Sequence, residues 1–135
     1  MNANFVDTNV IIYCVSDDEG KRGKALTLLA TRPVLSAQVL NETAHIMRRK
    51  LRFEPAEVSA VILKLIQECH VAPLTADTTL SALSIAERYK FSIYDSLIIA
   101  AALNAGCMTL YSEDMQHMQI IENQLTIINP FLGSS

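Results

Sequence analysis

The sequence predicts an α/β protein, a three-layer α/β/α sandwich around a short central parallel sheet. Three observations predict it. Short apolar runs recur from Phe5 to Ile128, they lack the in-and-out alternation of a sheet with one wet face, and helix-length segments separate them. Strands buried on both faces read as continuous apolar runs, and parallel neighbours need long crossover connections, usually helical.

Asn4-Phe5-Val6-Asp7 reads as a short strand ending in an acid. The apolar segment Val10-Ile11-Ile12-Tyr13 then starts a helix at Thr8 or Asn9, both competent caps. Lys21 to Thr31 has helical spacing in Ala25, Leu28 and Leu29, and Pro33 stops it before the strand Val34-Leu35-Ser36. A helix follows from Ala37 to about Leu51, and another from Pro55, a residue suited to a first helical turn, to about Cys69. In the latter, Val58, Val61, Ile62, Leu65 and Ile66 recur at intervals of three and four, an apolar face expected to pack on the sheet.

Val71-Ala72-Pro73-Leu74 is expected at a sheet edge, where Pro is tolerated, and Asp77 or Thr78 is expected to cap a helix through Arg88. Ser92-Ile93-Tyr94-Asp95 leads into Ser96 to Ala105, a helix so apolar that it should be buried nearly all round, with Gly106 as its stop. Met108 to Tyr111 and Leu125 to Ile128 complete the strands.

At 135 residues the chain suits one domain, assigned to residues 1–132 with a loose tail at 133–135. Half of the residues are apolar and 19% are charged, a composition that builds a core rather than a disordered segment. There is no apolar run of the roughly 20 residues that span a bilayer, and Met1-Asn2-Ala3-Asn4 lacks a basic leader, so a cytoplasmic protein is expected. Cys14, Cys69 and Cys107 lie among apolar neighbours without CxxC spacing and are expected to be plain thiols. The net charge of −3 argues against tight, indiscriminate nucleic-acid binding, although Lys21-Arg22-Lys24 and Arg48-Arg49-Lys50-Arg52 leave local basic patches.

In open parallel sheets the functional crevice lies beyond the carboxyl ends of the strands. Asp7 and Asp114 fall there, while Glu42 and Asp95 lie near the starts of helices with apolar faces. Taken singly, Asp7 and Asp95 also fit helix caps, Asp114 a turn, and Glu42 a partner of Arg48 or Arg49. Taken jointly, four converging acids repel one another unless a divalent cation neutralises them, and hard oxygen ligands point to Mg²⁺ or Mn²⁺. The natural chemistry of such a site is phosphodiester hydrolysis.

Four blocks, in order, resemble a PIN domain and in particular the toxin nucleases of bacterial VapBC-type toxin–antitoxin pairs. They are Phe5-Val6-Asp7-Thr8-Asn9, Leu35-Ser36 to Glu42, Tyr94-Asp95-Ser96 through Ala102, and Leu110-Tyr111-Ser112-Glu113-Asp114-Met115. The resemblance implies an endoribonuclease in which Asp7, Glu42, Asp95 and Asp114 hold Mg²⁺ or Mn²⁺. It assigns supporting roles to Thr8, Asn9 and Ser112, orienting the carboxylates. Glu113 competes with Asp114 in the last block, and Arg49, seven residues after Glu42, is placed to reach an RNA phosphate. The implied partners are an RNA substrate, a small antitoxin laid across the acidic groove, and a second copy of the chain. The apolar faces of residues 58–66 and 98–102 would serve that homodimer or the core.

Other readings fit less well. A haloacid-dehalogenase phosphatase needs a second Asp where this chain has Asn9, a receiver domain needs an acid pair after its first strand, and a glycine-rich phosphate loop is absent. His45 makes a Glu-x-x-His pair with Glu42 but lacks the second such motif of a di-iron site, and His70, His117, Met115 and Met118 read as surface or packing residues. A non-catalytic PIN-fold binding module remains as the alternative of a different class.

Overall fold

The computed structural model describes residues 4–133. The leader region read at residues 1–3 and the last two residues of the expected tail lie outside them. The elements are β1 (Asn4–Val6), α1 (Thr8–Tyr13), α2 (Glu19–Leu29), β2 (Val34–Ser36), α3 (Ala37–Arg49) and α4 (Pro55–Glu68). They continue with β3 (His70–Ala72), α5 (Ala76–Tyr89), α6 (Ile93–Asn104), β4 (Thr109–Tyr111), β5 (Ile120–Ile121) and β6 (Leu125–Ile128).

The sheet order is β3-β2-β1-β4-β6-β5, with every neighbouring pair parallel except β5 and β6. From β1 the chain steps outward to β2 and β3, then crosses back to β4 on the far side of β1. Because such crossovers are right-handed, reversing direction moves the connecting helices to the other face. Helices α1 to α4 therefore cover one face and α5 and α6 the other, and packing agrees: α1 meets α2 and α3, α3 meets α4, and α5 lies along α6. This is the expected α/β/α sandwich.

Strand centres supply the core. Phe5, Leu35, Leu110, Leu125 and Ile127 are fully buried, joined by Ile98, Ile99 and the alanines at 100–102 of α6. Residues 98–102 are thus consumed by the chain's own core and are not available to a second copy. Helix α4 packs on α3 as well as toward the core, burying Val58 and Leu65 while leaving Ile66 48% and Leu63 55% exposed.

Helix starts differ from expectation in an informative way. In three of them the residue just before the helix caps it, and in α5 Thr78 of the first turn, one of the two expected caps, also accepts from Thr75 N–H at 3.1 Å. Asp7 caps α1 through Thr8 N, Thr75 caps α5 through Thr78 N, and Ser92 caps α6 through Asp95 N. Asp95 consequently sits in the first turn of α6, where the positive end of the helix dipole favours a carboxylate. Strand β3 is shifted to His70–Ala72 but keeps its place at the sheet edge.

Strand β5 was not anticipated. It is two residues long and joins β6 through a turn in which Glu122 and Asn123 both have positive φ. Asn tolerates that conformation, whereas Glu seldom adopts it. Here Glu122 is held by Arg88 and by the Tyr89 hydroxyl, which donates to its carboxylate at 2.7 Å and accepts from its backbone N–H at 3.0 Å. All three cysteines are free thiols, with Cys69 and Cys107 buried and Cys14 half-buried. Among the described residues no helix is long and apolar enough to cross a membrane.

Candidate active site

Strand order reverses between β1 and β4, so the chain leaves their carboxyl ends on diverging paths and opens a crevice there. Asp7 follows β1 directly and is only 6% exposed, while Ser112 follows β4 and is fully buried. The ladder continues past both strands, through Asp7 N–H to Tyr111 O and Ser112 N–H to Ile128 O, each at 3.0 Å. Ser112 Oγ then donates to Asp7 Oδ2 at 2.9 Å, and the Thr8 backbone N–H donates to Asp7 Oδ1 at 2.7 Å. Cap and candidate ligand are therefore the same side chain.

Asn9, in the first turn of α1, ties the two strand ends together. Its Nδ2 lies 3.1 Å from Asp7 Oδ2, 3.3 Å from Ser112 Oγ and 3.1 Å from Asp114 Oδ2. Glu42 is delivered by α3, whose N-cap Ser36 ends β2. It accepts from Thr8 Oγ1 at 2.8 Å and from Gln38 Nε2 at 3.4 Å rather than pairing with Arg48 or Arg49. Gln38 also donates to Tyr94 O at 3.1 Å, pinning the start of α6, and with it Asp95, against α3.

These elements enclose a pocket of about 450 Å³ lined by Asp7, Glu42, Asp95 and Asp114, with Thr8 and Asn9 between them. No Lys or Arg lines it. The electrostatic consequence is visible in the acids. Burial pushes the Asp7 carboxyl up to about 6 against the opposing pull of the Ser112 and Thr8 hydrogen bonds, with Glu42 and Asp95 adding repulsion. Asp95 is raised as well, first by burial and then by the nearby Asp114 carboxylate.

Two polar lining residues escaped the sequence reading, Gln38 and Asn41, and a third, His45, was noted beside Glu42 but set aside. Their spacing around Glu42 was the available signal, since 38, 41, 42 and 45 share one helical face. Gln38 is 93% buried by its 7% exposure, and its Oε1 has no hydrogen-bond partner.

Two candidates are displaced. Glu113 points away from the pocket, where Lys21 and the Tyr13 hydroxyl engage its two carboxylate oxygens, so Asp114 is the acid of that segment that reaches the pocket. Arg49 is exposed and does not line the pocket, because seven residues along a helix carry it roughly 10 Å beyond Glu42. Among the bland readings, Met115 is buried as expected, but Met118 is 60% exposed at the β5–β6 hairpin and packs no core.

Among the described residues no three acidic, imidazole or thiol groups converge closely enough to make a closed metal cage. The acids instead face an open pocket. That donor set fits a hard cation such as Mg²⁺, which keeps several waters and takes only one or two carboxylates directly. It does not fit a structural zinc site, which needs a closed set of nitrogen and sulfur ligands.

Fold and pocket together define an α/β sandwich with an acid-lined crevice at its topological switch point. The PIN-domain family model matches residues 5–120, and the chain belongs to the PIN-domain family. Among solved structures it is similar to the Mycobacterium tuberculosis toxin VapC20, a sarcin-ricin loop cleaving toxin, at 25% identity and TM-score 0.67 over 82% of this chain and 89% of that one. It is also similar in fold to a toxin–antitoxin complex from Klebsiella pneumoniae, at 16% identity and TM-score 0.73 over 94% and 97% of the two chains. The DNA-bound VapBC of Salmonella typhimurium gives 19% identity and TM-score 0.68 over 94% and 98%. No curated protein sequence gives a significant match.

Proposed function

We propose that this chain is a Mg²⁺- or Mn²⁺-dependent endoribonuclease and the toxin of a type II toxin–antitoxin pair, acting in the cytoplasm. The observation that carries the reading is the convergence of Asp7, Glu42, Asp95 and Asp114 on one pocket without a Lys or Arg among its lining residues. Four acids contributed by four separate segments face one another there, and the Asp7 and Asp95 carboxyls are raised, first by burial and then by their acidic neighbours. Structural likeness to VapC toxins and their antitoxin complexes supports the toxin role.

In this reading Asp7, Glu42, Asp95 and Asp114 hold the divalent ion. When bound, the ion supplies a nucleophile at neutral pH and neutralises charge building on the phosphodiester. Asn9 and Ser112 orient Asp7 and Asp114, and Thr8 orients Glu42. The partners that follow are an RNA substrate, a small antitoxin covering the acidic crevice, and a second copy of the chain.

The deciding experiment measures RNA cleavage by the purified chain with and without Mn²⁺, alongside Asp7→Asn and Asp95→Asn, and growth arrest on expression. Metal-dependent cleavage lost in both variants is the expected result. Full activity in both variants would remove these acids from the site, and a wild-type chain that neither cleaves RNA nor binds Mn²⁺ by calorimetry would be the non-catalytic PIN-fold module instead.

A further inference from the structure

On the outer side of the segment after β4 lies a second polar cluster that the carboxylate site does not use. Lys21 Nζ lies 2.5 Å from Glu113 Oε2, and the Tyr13 hydroxyl donates to Glu113 Oε1 at 2.7 Å, so both oxygens of the carboxylate are engaged. Lys21 also donates to the Tyr13 hydroxyl at 3.2 Å. Its ammonium sits 4.7 Å from the Tyr13 ring centroid and 5.4 Å from that of Phe131, and the two rings meet edge to face at 4.9 Å. Burial alone would raise the Glu113 carboxyl, but Lys21 and Tyr13 outweigh it and hold it below the usual carboxylate range.

The backbone of Glu113 faces the other way. Its N–H donates to Asn9 Oδ1 at 2.9 Å. With the oxygen of the Asn9 amide engaged on that side, its Nδ2 is turned toward Asp7, Ser112 and Asp114. Buried Ser112 and Met115 fix the two ends of this short segment, and Glu113 fixes its middle. Asp114 itself is exposed, and among the described residues its carboxylate is held only through Asn9.

We propose that Lys21 and Tyr13, acting through Glu113, form a buckle that positions Asn9 and Asp114 for divalent-metal binding. The inference rests on the nuclease reading above and assigns Lys21, Tyr13 and Glu113 as positioning residues, with no direct contact to metal or RNA. It accounts for an acid adjacent to Asp114 that is turned out of the pocket, and for a basic residue of α2 directed at the far end of β4. It also separates positioning from stability. A partly exposed ion pair contributes little to folding, so loss of the buckle should move metal affinity much more than melting temperature.

The test is Mn²⁺ binding by calorimetry on the intact chain, with thermal melting followed by circular dichroism in the absence of metal. Lys21→Met is expected to weaken Mn²⁺ binding about ten-fold, the usual scale for a residue that orients a ligand. Lys21→Arg, which keeps the charge and a cation over both rings, should weaken binding less than Lys21→Met. Tyr13→Phe retains both ring contacts, removes only the hydroxyl, and should fall between them even if Lys21→Met folds poorly. Arg88→Met breaks a comparable pair with Glu122 remote from the pocket and should leave Mn²⁺ binding unchanged.

Wild-type affinity in folded Lys21→Met and Tyr13→Phe would overturn the buckle while leaving the nuclease reading intact. Equal weakening by Arg88→Met would overturn it too, by showing a general effect of losing charge pairs. A wild-type chain that binds no Mn²⁺ would remove the nuclease reading and this inference with it.

Discussion

Thr8 Oγ1 donates to Glu42 Oε1 at 2.8 Å, joining the first turn of α1 to the middle of α3 across the rim of the pocket. Thr8 is buried, and without its hydroxyl Glu42 would keep only the 3.4 Å contact from Gln38. Thr8→Val retains the shape and removes the donor. Expected is a loss of Mn²⁺ affinity of about ten-fold, measured by calorimetry, with folding stability changed by no more than about 1.5 kcal/mol. Unchanged affinity would mean that Glu42 needs no orientation from α1.

The pH dependence of stability should carry the signature of Asp7. Its carboxyl is raised from 3.8 to about 6 by burial, so the folded state holds this proton more tightly than the unfolded chain. Its contribution is fully present below the unfolded value of 3.8 and is lost as pH rises through about 6. Two units correspond to about 3 kcal/mol. Asp95 acts in the same direction, whereas Glu113 and Glu122, whose carboxyls are lowered, act in the opposite one. The relevant quantity is therefore the difference between wild type and Asp7→Asn in urea unfolding without metal. That difference should grow in favour of Asp7→Asn between pH 4 and 7, and a flat difference would contradict the burial of a proton-hungry Asp7.

Divalent metal should reverse that loss. An ion bound only by the folded chain stabilises it by about 2.7 kcal/mol at a hundred times its dissociation constant. Mn²⁺ should therefore raise the melting temperature of wild type near neutral pH, and chelation should reverse the rise. Asp95→Asn should show little of the effect. An equal rise in that variant would place the ion elsewhere.

Thr43, on the buried side of α3, has a hydroxyl with no hydrogen-bond partner and is 1% exposed. Thr43→Val replaces the orphaned group with a methyl of similar shape and should stabilise the fold by about 1 kcal/mol. A loss of stability on urea unfolding would reveal a partner for the hydroxyl.

Leu110, fully buried in β4 and paired with Phe5 of β1 and Ile127 of β6, holds the two strands that bound the crevice. Leu110→Ala should cost about 2–5 kcal/mol by cavity formation. Urea unfolding gives the value, and a cost below the lower bound would mean that the site's floor repacks.

Much of this was legible in the sequence because the signals were local and redundant. Short continuous apolar runs separated by amphipathic segments fix a covered parallel sheet whichever residue begins each helix. Acids at strand ends mark a crevice without knowledge of strand order. Less legible was anything decided by long-range contact. Glu113 and Asp114 are adjacent acids in one turn, and Lys21 and Tyr13, 92 and 100 residues away, determine which one leaves the pocket. The turn at Glu122 was hidden because its backbone conformation is sustained by Arg88 and Tyr89 rather than by a turn-forming residue type. Gln38 and Asn41 were missed for a simpler reason, since the helical face around Glu42 was followed only toward His45 and Arg49.

The hydrogen bond from Ser112 to Asp7 spans 105 positions of the chain. Three of the four pocket acids are therefore synthesised before Asp114 and before the Ser112 that holds Asp7. A growing polypeptide that has presented Asp7, Glu42 and Asp95 still lacks β4, Ser112 and Asp114, and Ser112 is not anchored until Ile128 has emerged. On the nuclease reading proposed above, this order of synthesis is itself a safeguard for the RNA around the ribosome, because the fourth acid and the anchoring of Ser112 arrive only with β4 and β6.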